Sequence, residues 1–209
     1  MNRTFLSAAS ALFLMGGGAF AAPADQPGHQ SPKPGTNSET MSAIKDTTAA
    51  MVGKVSAEMT STTKGFVDAA AISDMYEVTA GKIAEQRAQS PAVKDFARQM
   101  VEAHTGTTSQ LKNLIAGNTI NVTPPAHVDS RRQGMLDDLR GAKAQDFDHR
   151  YISQQIAAHK EADILMRGYA KDGDNRALQE FAATTDHAVK MHLSMARKLD
   201  KGEKTASNY

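Results

Sequence analysis

Four long runs between residues 65 and 200 repeat their apolar residues every three to four positions, and none alternates apolar and polar residues strictly. The first spacing is that of an amphipathic α-helix, whereas strict alternation would indicate a half-buried strand. These runs and one shorter run predict helices over 65–89, 91–116, about 129–140, 144–171 and 175–200. Short connections within each pair of long helices predict an all-α fold: an antiparallel four-helix bundle with an additional short helix between its two hairpins.

Residues that start and stop helices separate these runs. Ser90 followed by Pro91 is a helix cap with proline at the first helical position, and Gly117 ends the helix that begins there. The sequence DGDN at 172–175 provides a glycine to end one helix and Asp174 to cap the next. These signals fix the predicted boundaries independently of the apolar spacing.

The start of the chain differs in character from the rest. Residues 1–21 have a basic beginning with Arg3, a short apolar stretch and an Ala-Phe-Ala ending, as in a Sec signal peptide cleaved after Ala21. The apolar stretch is too short to cross a bilayer as a helix. We therefore expect an exported, periplasmic protein with no transmembrane segment in the mature chain.

The residues that follow predict a spacer and then a further helix. Residues 22–41 hold four of the seven prolines and no aliphatic residue larger than Ala before Met41, which is typical of a disordered linker. Apolar residues return at helical spacing over 42–60, and the threonine-rich stretch 60–65 predicts a break. We divide the chain into a signal peptide (1–21), a linker (22–41), an N-terminal amphipathic helical segment (42–63), the bundle (64–200) and a flexible tail (201–209).

Charge and composition exclude several classes of function. The chain has 24 Lys and Arg against 23 Asp and Glu, a formal net charge of +1, so no excess charge attracts it to a polyanion. Aromatic residues make up 5% of the chain and Trp is absent, which disfavours base stacking, and we expect no nucleic-acid partner. Because the chain has no Cys, it can form no disulfide and carries out no thiol chemistry.

Each long helix carries one ionisable residue on its apolar side, as judged from residues that share a face at seven-residue spacing. These residues are Glu77, His104, His159 and His192. Counted from the turn at Ser90, Glu77 and His104 lie at the same height. Counted from the second turn, His159 and His192 differ in height by about 7 Å at a rise of ~1.5 Å per residue.

Two interpretations of this polar layer are open. One carboxylate and three imidazoles that converge from four helices suit a divalent first-row metal such as Fe, Mn, Zn or Cu, because a buried ionisable group is costly unless it is paired or bound to metal. In that case Asp163, four residues after His159, is the candidate for orienting a ligand histidine through a hydrogen bond. Alternatively, a hydrogen-bonded layer of Glu and His merely fixes the register of the helices.

Other polar residues give weaker signals. Met100 and Met195 lie within one turn of His104 and His192, where they offer thioether ligands for copper or simply fill the core. The sequence contains no Glu-x-x-His, so a carboxylate-bridged di-metal redox enzyme is disfavoured. Three further histidines fall on polar helix faces or in a loop: His149, His187 and His127.

Three stretches match a known pattern in order: EVTAGKIAEQRAQSPAVKDFARQMVEAH (77–104), FDHRYISQQIAAHKEADILM (147–166) and LQEFAATTDHAVKMHLSMARKL (178–199). Together they resemble the exported bacterial DUF4142 family, a domain of unknown function, over about 64–200. The resemblance implies a ferritin-like helical bundle in which the four polar residues above are signature positions. The family often has Leu-Pro where this chain has Thr185-Asp186, so a kink is missing here and the height of His192 could differ.

The sequence thus supports two hypotheses about function, and we assign no catalytic residue. The first is a periplasmic bundle that binds a transition metal through the buried Glu and His cluster, in envelope stress or metal handling. The alternative is a non-enzymatic envelope protein whose polar layer is structural and which binds a protein partner through residues 42–60, because the apolar stripe of that segment needs a surface to cover.

Overall fold

A computed structural model describes residues 55–117 and 120–202, and every regular element within them is a helix. The helices are α1 (Ala57–Ser61), α2 (Thr63–Arg87), α3 (Pro91–Gly117), α4 (Ser130–Gly141), α5 (Ala144–Asp172) and α6 (Arg176–Asp200). The all-α prediction is therefore confirmed for these residues. The predicted signal peptide, the linker, residues 42–54 of the amphipathic segment and residues 203–209 of the tail lie outside the described residues.

Helix α2 begins and ends two residues earlier than predicted. Its cap is Thr62, whose hydroxyl accepts a hydrogen bond from the backbone N–H of Gly65 at 3.1 Å. The break predicted within 60–65 is confirmed at Thr62, and it is short because this cap lets α2 start at the next residue. At the other end the backbone becomes extended at Ala88, shortly before Pro91 starts α3 as predicted.

The cap of α6 is also different from the prediction. Asn175, not Asp174, caps the helix by accepting a hydrogen bond from the N–H of Leu178 at 3.1 Å. Asp174 instead accepts hydrogen bonds from Thr63 at 2.6 Å and Tyr169 at 2.9 Å. The carboxylate therefore ties the start of α2 to the end of α5, a long-range role that the local sequence does not show.

The end of the predicted amphipathic segment folds against the long helices. A continuous helix over 42–60 is wrong at residues 55 and 56, since Ser56 is extended and caps the five-residue α1. Val55 and Met59 pack against the apolar cluster that contains Phe66. Thr60 lies so close to Gly168 of α5 that a Cβ on this glycine would lie 2.5 Å from the threonine methyl group.

The long helices pack as two consecutive pairs, α2 with α3 and α5 with α6, and α2 and α3 also contact α5 and α6, respectively. Arg87 at the end of α2 donates to the carbonyls of Leu139 and Ala142, both at 2.5 Å, and so holds the end of α4. Asp148 accepts from the backbone N–H of Ser90 at 2.7 Å, which fixes the turn before α3. No helix in the described part of the chain has the length and apolarity needed to cross a bilayer.

Two apolar clusters form the core, one at each end of the long helices. On each helix a gap separates them: between Ala70 and Tyr76 on α2, Met100 and Leu111 on α3, Ala158 and Ala162 on α5, and Val189 and Ala196 on α6. Buried polar side chains occupy or adjoin these gaps, namely Ser73, Asp74, Glu77, His104, His159 and His192. The fold therefore contains one polar layer that crosses all four long helices.

Candidate metal centre

Three of the four residues predicted from the sequence meet in this layer. The ring centroid of His104 lies 5.7 Å from that of His159 and 5.8 Å from that of His192, and the last two are 5.4 Å apart. One ring nitrogen from each histidine lies within 4.8 Å of the other two. We call these three residues, contributed by α3, α5 and α6, the histidine cluster.

The height difference expected for His192 does not separate it from the others. Counted from the helix ends at Asp172 and Arg176, His159 lies 13 residues and His192 16 residues into its helix. The two histidines therefore differ in height by about 4.5 Å, less than the difference of about 7 Å expected from the sequence. The expected value was too large because the turn between α5 and α6 is centred after Gly173, not at it. Imidazole side chains are long enough to meet across such an offset.

Each histidine of the cluster has one buried ring nitrogen without a hydrogen-bond partner. These atoms are Nε2 of His104, Nε2 of His159 and Nδ1 of His192. We assign Nε2 of His104 and Nε2 of His159 as the nitrogens that face a common point, because the other nitrogen of each ring is hydrogen-bonded elsewhere. Buried polar atoms are rarely left unpaired, so three within one cluster call for a ligand.

Asp74 of α2 holds the first of these rings. Its Oδ1 lies 2.8 Å from Nδ1 of His104, and the carboxylate is 7% exposed. Its Oδ2 accepts hydrogen bonds from the hydroxyls of Thr107 at 2.9 Å and Thr108 at 3.2 Å. A carboxylate behind a ligand histidine orients the ring and strengthens it as a donor. Sequence reasoning missed Asp74, although its position three residues before Glu77 places it near the same helix face.

Gln155 of α5 connects the second ring to Glu77. Nδ1 of His159 lies 2.9 Å from the backbone carbonyl of Gln155, whose side-chain amide donates to Oε2 of Glu77 at 2.7 Å. Oε1 of Glu77 lies 3.9 Å from the same Nδ1. Glu77 therefore lies beside His159 at the ring nitrogen that faces away from the common point, and it does not belong to the group of mutually close ligand atoms.

The electrostatic surroundings differ between the three imidazoles. Burial, followed by the neighbouring His104, lowers the pKa of His159 to about 3. Burial, followed by the other two histidines, lowers the pKa of His192 to about 3. Burial also opposes protonation of His104, but the hydrogen bond to Asp74 and the charges of Glu77 and Asp74 outweigh it and raise its pKa. Two of the three rings are therefore neutral donors at neutral pH.

Burial raises the pKa of Glu77, the second carboxylate of the layer, while the nearby charge of His104 and the hydrogen bond from Gln155 oppose that rise. A positive charge placed among the three imidazoles would stabilise the ionised forms of Glu77 and Asp74. The layer thus places Asp74 behind the ring of His104 and Glu77 beside the ring of His159.

The remaining residues considered from the sequence lie elsewhere. Asp163 contacts Arg167 at 3.3 Å and Lys190 at 3.8 Å, whereas the groups that hydrogen-bond the histidine cluster are Asp74 and Gln155. Met100 is fully buried in one apolar cluster, and Met195 packs against that same cluster, as expected for core residues. His127 and His187 are exposed and His149 is half-buried, and none of them joins the cluster.

The donor set suits a transition metal. Imidazole is a preferred ligand of Zn, Cu, Fe and Ni, and metal–nitrogen distances near 2.0–2.1 Å place three such donors around one ion. The three ring nitrogens already lie within 4.8 Å of one another. A small inward movement of the rings would bring each of them to the metal–nitrogen distance from one shared ion. Aspartate behind His104 and the Gln155 carbonyl behind His159 would fix the orientation of these rings.

Comparison with known proteins identifies a family but no activity. A family model described as "Domain of unknown function (DUF4142)" matches residues 48–199. The match starts before α1, so it includes part of the segment that the sequence analysis separated from the bundle. No curated protein and no solved structure matches the chain significantly.

Proposed function

Because the chain belongs to the DUF4142 family, whose description assigns no activity, we propose a function from the site itself. We propose an exported, ferritin-like four-helix bundle that binds one divalent first-row transition metal through His104, His159 and His192. The observation that carries this proposal is the convergence of one ring nitrogen from each of three buried histidines, each of which also has a buried ring nitrogen without a hydrogen-bond partner.

The alternative of a purely structural layer predicts a different arrangement. A polar layer that only fixes helix register is stabilising when its members satisfy one another's hydrogen bonds. Here the rings meet, yet Nε2 of His104 and His159 and Nδ1 of His192 are unpaired. A bound ion would satisfy all three at once, which supports a metal site over a register-fixing layer.

Charge balance favours a divalent ion. Imidazoles that bind a metal are neutral and contribute no charge, while Asp74 and Glu77 each carry one negative charge when ionised and lie directly behind or beside the rings. A doubly charged ion would therefore form a neutral buried unit with them, which limits the cost of burying charge. Fe, Mn, Zn and Cu remain the candidates.

The cellular setting is part of the same proposal. Residues 1–21 have the pattern of a Sec signal peptide, which supports export to the periplasm and a role in envelope stress or metal handling. The near-neutral charge and low aromatic content support a function without nucleic acid. Fusion of residues 1–30 to a periplasm-dependent reporter tests export, and a reporter that stays inactive would contradict this location.

Elemental analysis of the purified protein tests metal binding directly. After loading with Fe, Mn, Zn or Cu and removal of excess metal, we expect one equivalent of at least one of them per chain. His104→Ala should lose that metal, whereas His187→Ala, which removes an exposed histidine, should retain it. Absence of stoichiometric metal from the unmodified protein under all four conditions would rule out the proposal.

A partner-binding function is the second candidate, proposed from the apolar stripe of residues 42–60. In the described part of this segment, Val55 and Met59 already pack on the long helices, which leaves residues 42–54 to contact a partner. Deletion of 22–54 should then abolish recovery of a cross-linked envelope protein while the helical content is retained. Equal recovery with and without the segment would contradict this function.

A further inference from the structure

The histidine cluster contributes three donors, one fewer than a tetrahedral ion requires. Closed structural sites usually supply four protein ligands, whereas sites that act on another molecule supply three and keep one position open. The three donors come from α3, α5 and α6. The remaining long helix, α2, is therefore the one that could provide a fourth ligand.

Helix α2 places no available ligand there. Its carboxylate at this height, Glu77, is held by the side-chain amide of Gln155 at 2.7 Å and lies 3.9 Å from Nδ1 of His159, not at the free Nε2. The inward residues on either side of it, Ser73 and Ala80, are small and buried. A metal held by the three histidines would therefore keep one position without a ligand from α2.

A cavity begins one helical turn from this side. It has a volume of about 220 Å³, and its lining includes Ser73 of α2, four residues from Glu77, and Ala162 of α5, three residues from His159. At ~30 Å³ per molecule this volume corresponds to about seven waters. Val55 and Met59 from the α1 region also line it. The cavity is large enough for a small molecule, and two of its lining residues lie within about one helical turn of residues of the polar layer.

Arg132 gives the cavity a specific chemistry. This cavity-lining side chain is 3% exposed, stacks over the ring of Tyr76 at 4.8 Å and pairs with Glu161 at 3.2 Å. Its Nε–H is buried and has no hydrogen-bond acceptor. An unpaired buried guanidinium donor is costly, and a small carboxylate or similar anion is the acceptor that matches it best.

We propose that a metal bound by the histidine cluster keeps one coordination position open towards α2, and that this position takes a small monovalent anion of formate or acetate size from the cavity under α1. This inference rests on the proposed metal binding. Because no fourth protein ligand lies on the α2 side, the metal would bind an exchangeable ligand at that position.

Cobalt substitution tests the inference separately from metal binding itself. Co²⁺ is loaded into the purified protein, its stoichiometry is measured, and formate, acetate and azide are titrated while the visible d–d absorption is recorded. We expect one Co²⁺ per chain and a saturable spectral change with at least one anion. Failure to take up Co²⁺ after Fe, Mn, Zn and Cu have also failed overturns the metal site, whereas full loading with a spectrum that no anion alters overturns the open position.

Paired substitutions on α2 test the role of the cavity. Ser73→Leu fills it and should weaken anion binding about tenfold or more while Co²⁺ loading is kept, since steric exclusion of this size is typical of a filled pocket. Ala71→Leu, which fills a different cavity beside Leu111, should leave anion binding unchanged. If Ser73→Leu does not fold, Arg132→Lys, which retains the charge but loses Nε, should weaken binding severalfold. Unchanged affinity in the folded variants would refute entry through this cavity.

Discussion

Two buried polar clusters share helix α5, and they differ in how completely they are hydrogen-bonded. In the first, which we call the Gln154 cluster, Tyr76 donates to Gln154 at 2.8 Å, and the amide of Gln154 donates to Asp138 at 2.9 Å and to the carbonyl of Met135 at 3.2 Å. Every polar atom of the Gln154 side chain therefore has a partner within the protein. In the histidine cluster, three ring nitrogens have none.

This difference separates a structural role from a ligand-binding one. The Gln154 cluster joins α2, α4 and α5 and needs nothing from outside the chain, so its contribution should appear in the stability of the protein without metal. The histidine cluster is incomplete without a ligand, so its contribution should appear in metal binding. Substitutions in the two clusters should therefore affect different measurements.

The largest expected effect is on metal affinity when a ligand histidine is removed. His192→Ala should weaken binding of the preferred metal by more than the ~10–100-fold that loss of an outer hydrogen-bond partner causes. Isothermal titration with a competing chelator measures this, with His187→Ala on the exposed face of the same helix as control. Metal affinity that is equal in the two variants would show that the incomplete cluster is not the binding site.

A smaller loss should follow from removing the group behind His104. Asp74→Asn should reduce metal affinity by about 10–100-fold, because the amide orients the ring less firmly and does not offset the charge of the ion. Asp163→Asn is the control, since Asp163 pairs with Arg167 and Lys190 on the surface side. If Asp163→Asn has the larger effect, the sequence-based choice of Asp163 was right and the role assigned to Asp74 is wrong.

The Gln154 cluster should respond in stability instead. Tyr76→Phe leaves the buried Oε1 of Gln154 without its donor and should lower the free energy of unfolding of the metal-free protein by about 1–3 kcal/mol, with metal affinity unchanged. Tyr151→Phe is a matched control, because Tyr151 is equally buried but its hydroxyl has no hydrogen-bond partner. Urea denaturation compares the two, and an equal loss in both would mean that the hydrogen bond to Gln154 contributes nothing.

The sequence predicted the helices well because their signals are local. Pro91 starts α3 and α5 starts at Ala144 as predicted, since proline position and apolar spacing act within a few residues. Errors arose where distant groups intervene: Asp174 bonds Thr63 across the fold instead of capping α6. No sequence rule gives the strength of such a contact, because it depends on how two remote helices approach each other.

For the candidate site, the helix face of each residue was predictable from the sequence, but its hydrogen-bond partner was not. Seven-residue spacing placed His104, His159 and His192 on inward faces, and the structure brings them together. Spacing could not tell that Glu77 would be held by Gln155, or that Asp74 would contact His104, because both facts depend on the rotation of one helix against another. Helix periodicity thus gives the face of a residue but not its partner.

The acid sensitivity of the metal-free protein also distinguishes the two clusters, because only the histidine cluster changes its proton uptake on folding. His159 and His192 have folded-state pKa values of about 3 against an ordinary value of 6.5, chiefly because of burial. Above pH 6.5 both are neutral whether the chain is folded or not, so they do not affect stability. Between pH 6.5 and 3 the unfolded chain binds protons that the folded chain excludes, and stability falls as the pH falls.

Each such histidine should steepen that fall by about 1.4 kcal/mol per pH unit. The raised pKa of Glu77 acts in the opposite direction near the lower end of the range, because the folded chain takes up that proton first. Because Glu77 is present in every variant, a comparison between variants cancels its contribution. With chelator present, His192→Leu should reduce the slope of the unfolding free energy against pH between about 6 and 4 by about 1.4 kcal/mol per pH unit. His187→Leu controls for loss of a histidine as such, and Tyr76→Phe should shift the whole curve down without changing its slope. If His192→Leu retains the full slope, the imidazole of His192 is protonated in the folded protein and is not a neutral donor awaiting a metal.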